Sequence, residues 1–182
     1  MIMTIVDYIV LSLAIGVDAM VAMRPCAEQS PVRLVKGLLL SLCIGVVYVA
    51  LMSAGVVIAN RLRFDLPEVD KMICLGFIVL VAVKMLLGLK KEPRAYDITR
   101  FGVALLMDVA LGINVLLIGL GVGFVGLLAD DFWKYALPML VLVSLSSMWG
   151  IMLGRKKVAV RHRRWKVIAV LCLLVIAIRV AV

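Results

Sequence analysis

Several kinds of functional motif are missing from this sequence of 182 residues. It has one histidine and four cysteines, and no two cysteines form a C-x-x-C pair or another spacing typical of a metal site. It also has no P-loop, no dinucleotide-binding fingerprint and no arrangement of nucleophile and base. We therefore do not expect an enzyme. An ATP-driven pump made of this chain alone is excluded, because no segment would bind the nucleotide.

Long polar segments are also missing, whereas apolar runs are abundant. Hydrophobic residues make up 65% of the chain and the mean hydropathy is +1.19, against roughly 45–50% apolar residues in soluble proteins. A helix needs about 20 apolar residues to cross the hydrocarbon core of a bilayer. Six stretches approach or exceed that length: 4–23, 37–60, 72–89, 101–128, 135–154 and 166–182. The sequence predicts an all-α integral membrane protein with six transmembrane helices, surrounded by the lipid bilayer.

Acidic residues are scarce, and the formal net charge is +9. Most of the cationic residues lie near the first, third and fifth loops between the predicted helices. They are Arg24, Arg33, Lys36, Lys90, Lys91, Arg94, Arg100, Arg155, Lys156, Lys157, Arg161, Arg163, Arg164 and Lys166. This distribution argues against nucleic acid as a partner and follows the positive-inside rule. It predicts that these three loops lie in the cytoplasm and that both termini lie outside.

The two halves of the chain resemble each other. AIGVDAM at 14–20 aligns with ALGINVL at 110–116, and IVLVAVKMLLG at 78–88 aligns with LLVIAIRVAV at 173–182. We interpret residues 1–92 and 97–182 as two three-helix repeats of a single membrane domain. Because three is an odd number, the second repeat must enter the membrane from the opposite side, as in many secondary transporters. The alternative is a chance similarity between apolar helices.

The alignment sets Asp18 opposite Asn114, each within an apolar run. An Asp at membrane depth costs roughly 2.5–3.5 kcal/mol on insertion scales, so a polar residue in both equivalent positions indicates a function. A carboxylate there suits a cation or a proton, and the Asn amide offers a further oxygen. The alternatives are an ion pair of Asp18 with Lys84 or Arg179, and an interhelical hydrogen bond for Asn114.

Two further charged residues and a group of glycines accompany this pair. Asp108 precedes Asn114 by about 9 Å along a helix, and Asp108 and Lys84 are candidate supporting or proton-relay residues. Lys84 could instead pair with an Asp or reach the lipid headgroups. An acid without function at the membrane interface is the alternative. We expect Gly119, Gly121 and Gly123 to allow close helix packing.

The chain resembles the bacterial MntP-type manganese efflux pumps. That family carries the motif S-x-D-A-x-A-V in helices 1 and 4, and GVDAMVAM at 16–23 and INVLLIGLGVGF at 113–124 are similar to it. The resemblance implies that Asp18 is a metal-binding residue and that Asn114 replaces the second aspartate. The family's acidic residue in helix 2 is replaced by Ile44 or a neighbour in SLCIGVVYVALMSAG.

The resemblance implies a multi-pass protein of the bacterial inner membrane that exports a divalent cation, most readily Mn²⁺. The cation would be cargo, and no tightly bound cofactor is expected. One alternative is export of another small solute, such as an amino acid, and a second is a scaffold that no longer transports. A homodimer in which a partner supplies the missing carboxylates stays open.

Overall fold

The computed structural model describes residues 5–30, 32–62, 67–88, 96–99, 101–125, 132–157 and 162–181. In these ranges the chain forms helices and no strands. The helices are α1 (Ile5–Gln29), α2 (Leu34–Leu62), α3 (Pro67–Leu87), α4 (Phe101–Phe124), α5 (Phe132–Arg155) and α6 (His162–Ala181). Each corresponds to one predicted apolar stretch, although the predicted ends at 4, 89, 126–128 and 182 lie outside the described residues. The predicted boundary between the repeats, at 92, also lies outside them.

Four of the described helices, α1, α2, α4 and α5, are long and apolar enough to cross a membrane. α3 and α6 are not, because cationic side chains limit their uncharged cores to 72–83 and 167–178. Each core is about 18 Å long, compared with the roughly 30 Å of hydrocarbon in a bilayer. Four spans are therefore supported, and six remain a prediction.

The outer surface of the bundle is apolar, including the outer faces of α3 and α6. Large hydrophobic side chains are exposed on both of these helices, among them Leu80, Leu171, Val175 and Ile178. Water would make such a surface unfavourable, whereas lipid tails do not. The exposed faces fit a protein surrounded by lipid.

The helices pair in a closed order. α1 packs between α5 and α6, α4 packs between α2 and α3, and the pairs α2–α5 and α3–α6 complete the ring. Exchanging α1, α2 and α3 for α4, α5 and α6 reproduces the same set of pairs. α1 and α4 therefore occupy equivalent places, on opposite sides of the ring.

Glycines on α5 and α2 bring two helix backbones very close. A Cβ atom added to Gly150 would lie 2.5 Å from the carbonyl oxygen of Met20, and one added to Gly55 would lie 2.5 Å from that of Leu116. Met20 and Leu116 are the last residues of the aligned segments 14–20 and 110–116. The two contacts therefore involve equivalent positions in the alignment of the two halves. Transmembrane helices depend on such small residues, since lipid gives no hydrophobic force between them.

A second pair of contacts also joins equivalent positions of the two halves, and in each contact a glycine packs against an alanine. Gly154 of α5 packs against Ala27 of α1, and Gly123 of α4 packs against Ala59 of α2. Of the other glycines predicted to serve packing, Gly119 faces the backbone of Met52, where an added Cβ atom would lie 2.5 Å from the carbonyl oxygen, and Gly121 lies beside α3. These three glycines thus contact two neighbours of α4.

The Gly150 contact yields a test of this packing. We expect Gly150→Ala to lower the free energy of unfolding by about 1–3 kcal/mol, because the new methyl group meets backbone that cannot move aside easily. Gly76→Ala is the matched control: a Cβ there meets nothing within 4 Å, and alanine favours a helix by up to about 1 kcal/mol. Thermal unfolding of the purified protein in detergent measures both. Equal loss of stability in the two variants would contradict the assigned packing.

Candidate cation site

A small cavity lies inside the ring, and five of the six helices contribute to it. Its volume is about 10 Å³, measured as the space open to the centre of a water molecule, which suffices for one water or one ion. Its lining residues are Ala14, Ile15, Asp18, Tyr48, Val81, Met85, Leu111, Asn114, Val115, Ile118 and Leu173. The two polar residues that the sequence repeat aligns therefore line one cavity.

The glycine contacts explain why these two side chains point inward. Asp18 precedes Met20 by two residues, and Asn114 precedes Leu116 by two. Two residues correspond to about 200° around a helix. Since Met20 faces α5 and Leu116 faces α2, the polar side chains lie on the opposite faces of α1 and α4, towards the interior of the ring.

Asp18 and Asn114 interact directly. The Asn114 side chain lies within hydrogen-bonding range of the Asp18 carboxylate. The Oδ1 atom of Asn114 is buried and has no hydrogen-bond partner among the described residues. A buried polar oxygen without a partner costs about 1–3 kcal/mol. The site therefore offers a carboxylate and an unsatisfied amide oxygen to a ligand.

Cationic side chains surround Asp18 without pairing with it. Lys166 of α6 exerts the larger electrostatic effect on its carboxylate, and Lys84 of α3 a smaller one. Among the described residues neither forms a salt bridge with Asp18, and Lys84 is exposed. The sequence did not single out Lys166, because it lies in a basic loop segment. Its position two turns before the cavity residue Leu173 is the signal that places it near the site.

Arg179 does not pair with Asp18. Its guanidinium forms a salt bridge with Asp7 of α1, so the alternative that Asp18 is its partner is wrong. The reason is position along the helices: Asp7 and Arg179 lie at ends of α1 and α6 that come together, whereas Asp18 lies three turns further into α1. Arg179 therefore does not neutralise Asp18.

Tyr48 is the cavity residue that the sequence analysis missed. It lies on α2 and is 2% exposed, and both Asp18 and Asp108 act on its phenol electrostatically. Ile44, the residue expected near the missing helix-2 acid, is buried but does not line the cavity. Tyr48 is therefore the residue that α2 contributes to the cavity lining. Its isolation as the one aromatic residue of α2 is the signal that could have found it.

Asp108 lies apart from the cavity lining. Its side chain is 1% exposed, and its Oδ1 atom has no hydrogen-bond partner among the described residues. It lies towards the start of α4, and the nearby groups on which it acts are Tyr48 and Cys26. Asp108 thus lies between the cavity and the end of the bundle where α1 ends and α4 begins.

Comparison with known proteins identifies the family. A family model described as "Putative manganese efflux pump" matches residues 31–181. The chain belongs to the MntP family. The matched stretch contains Tyr48, Asp108 and Asn114, whereas Asp18 precedes it. A search of curated proteins and a search of solved structures gave no significant match.

Membership of the MntP family confirms the resemblance and makes this a multi-pass membrane protein of a transporter family. The described residues contain no group of three or more His, Cys, Asp and Glu side chains placed to hold a metal ion. The oxygen ligands available around the cavity are one carboxylate, one amide and one phenol. This set suits a hard cation, but it balances only part of a divalent charge.

The contrast between two acids on α1 gives a stability test. We expect Asp18→Asn to leave the melting temperature unchanged or raised in the absence of metal, because the variant removes a buried charge that has no salt bridge. Asp7→Asn should lower it, because it removes the carboxylate charge from the salt bridge with Arg179. Thermal unfolding in detergent, with a metal chelator present, distinguishes the two. A large loss of stability in Asp18→Asn alone would mean that Asp18 serves the fold.

Proposed function

We propose that this protein is a secondary transporter that exports a divalent cation, with Mn²⁺ as its most favoured cargo. The observation that carries the proposal is the cavity between Asp18 and Asn114, whose size fits one ion. Mn²⁺ prefers oxygen ligands, and the carboxylate, the Asn114 Oδ1 atom and the Tyr48 hydroxyl group supply them. Family membership supports manganese as the cargo.

The charge balance of the site suits transport better than storage. One carboxylate cannot neutralise a divalent ion, and Lys166 and Lys84 weaken the attraction further. A transport site must bind an ion strongly enough to admit it and weakly enough to release it. Asp108 offers a second carboxylate between the cavity and one end of the bundle. We propose that Asp108 supports the bound ion or relays a proton, and that Lys84 affects the site only through its electrostatic field.

The alternatives fit the cavity less well. The centre of a water molecule can move within only about 10 Å³ beside Asp18, which is room for one water-sized body rather than for an amino acid. A scaffold without transport activity would be expected to close the cavity with a stable pair between Asp18 and Lys84, and these two residues form no salt bridge. Neither alternative gains support from the described residues.

The helix pairing supports an inverted-repeat mechanism. In this proposal residues 1–92 and 97–182 form two inverted repeats, and all six helices cross the membrane. The exchange of helix pairs and the matched glycine contacts agree with a two-fold relation between the repeats. Asp18 and Asn114 then face each other across the pseudo-axis. Rocking of one repeat against the other would expose the ion to each side in turn.

The direction of transport constrains the energy source. We place the chain in a bacterial inner membrane with both termini outside, on the basis of its charge distribution. Moving a divalent cation outward against an inside-negative potential costs about 4.6 kcal/mol per 100 mV. The potential alone would drive the ion inwards. Export against the potential must therefore be coupled to a second gradient, and we propose exchange for incoming protons, with Asp18 carrying a proton when the ion has left.

Mn²⁺ transport in sealed vesicles tests the proposal. We expect the native protein to exchange Mn²⁺ for protons and Asp18→Asn to abolish this exchange, because the carboxylate among the described lining residues is lost. Glu28→Gln, which removes an exposed acid of the same helix, is the control and should transport like the native protein. Absence of Mn²⁺ movement with the native protein would overturn manganese as the cargo.

A second variant tests the role of Asn114. We expect Asn114→Asp to lower the KM for Mn²⁺ about tenfold, equivalent to about 1.4 kcal/mol, because a second carboxylate improves the charge balance. Release should slow accordingly and reduce the maximal rate. An unchanged KM, measured in the same vesicles, would place the ion away from Asn114.

A further inference from the structure

Two sulfur atoms meet near the end of α1. The Sγ atom of Cys26 lies 3.6 Å from the Sδ atom of Met107 on α4. Both residues are buried, Cys26 completely. The backbone N–H of Tyr96, in the segment that precedes α4, also donates to Cys26 Sγ at 3.4 Å. The Cys26 thiol donates to Met107 Sδ and to the carbonyl oxygen of Ala22, at 3.4 Å, and a bound metal ion would displace that proton and leave a thiolate.

A buried carboxylate comes next to Met107 in the chain and acts electrostatically on Cys26. It belongs to Asp108, which is 1% exposed. Its buried Oδ1 atom has no hydrogen-bond partner among the described residues. Buried carboxylate oxygens are normally paired. A ligand at this place would satisfy the unpaired oxygen.

The geometry and charge of this group fit a soft divalent ion. Metal–sulfur bonds of about 2.3 Å would subtend an angle of about 103° across the 3.6 Å sulfur separation, close to the tetrahedral value. A thiolate and a carboxylate together carry two negative charges, which would neutralise a divalent cation in a dry site. Thiolate and thioether sulfur select softer metals than the oxygen ligands of the cavity do.

We infer that Cys26, Met107 and Asp108 form a second cation site, which binds a thiophilic divalent ion of the Cd²⁺ or Zn²⁺ class. Cys26 follows Asp18 by eight residues, so this sulfur site lies about 12 Å along α1 from the oxygen site. It does not depend on manganese being the cargo.

Cd²⁺ binding to the purified full chain in detergent tests this inference. Replacing Cys43, Cys74 and Cys172 by Ala leaves Cys26 as the sole thiol. We expect this parent protein to bind one equivalent of Cd²⁺ and to develop the ultraviolet absorption of a thiolate–cadmium bond. Excess Mn²⁺ should not displace the ion. The matched control retains Cys74 alone, a buried cysteine on α3, and should give no such absorption.

Single changes in the parent protein then test each ligand. We expect Cys26→Ala to abolish the absorption, and Met107→Leu and Asp108→Asn each to weaken Cd²⁺ binding tenfold or more. Met107→Leu preserves the volume of the side chain, so its effect reports the lost sulfur. Gel filtration and helical circular dichroism verify that each variant is folded. No absorption from the folded parent, or unchanged affinity in the folded Met107→Leu and Asp108→Asn variants, would overturn the inference.

Discussion

Close packing of α5 on α1 and of α2 on α4 is the constraint on which the rest of this structure depends. Gly150 and Gly55 admit the backbone of the neighbouring helix to distances that any larger side chain would prevent. These contacts fix the rotation of α1 and α4 about their own axes. Because Asp18 and Asn114 lie two residues before the contact points, the same rotation directs them into the ring. The glycines that pack the helices therefore also determine the direction in which Asp18 and Asn114 point.

The polar interior is sparse, and its sparseness has consequences. One carboxylate, one amide and one phenol line the cavity, and the lysines nearby repel a cation. In the proposed mechanism such a site would hold a divalent ion weakly, and a proton would occupy Asp18 when the ion leaves. The sulfur pair nearer the end of α1 differs in kind, since it presents soft ligands. The oxygen groups thus lie near Asp18, and the sulfur atoms lie about 12 Å further along α1.

The positions of the helices followed from hydropathy, since an apolar run long enough to span a bilayer has few other structures available. The alignment of the two halves also singled out Asp18 and Asn114, whose side chains line the same cavity; that the halves are inverted repeats and that the pair binds metal stay predictions. Tyr48, Lys166 and the pair between Asp7 and Arg179 were not foreseen. Their roles depend on the rotation of α2 and α6 against their neighbours, which is set by local packing and leaves no periodic signal in such uniformly apolar helices.

The position of bound Mn²⁺ tests the central claim most directly. Its anomalous scattering in crystals of the native protein would locate the ion without reference to transport. The account predicts one principal peak between the carboxylate of Asp18 and the Oδ1 atom of Asn114, and its loss in crystals of Asp18→Asn. A peak elsewhere in the bundle, with Asp18 instead paired to Lys84 or Lys166, would contradict it.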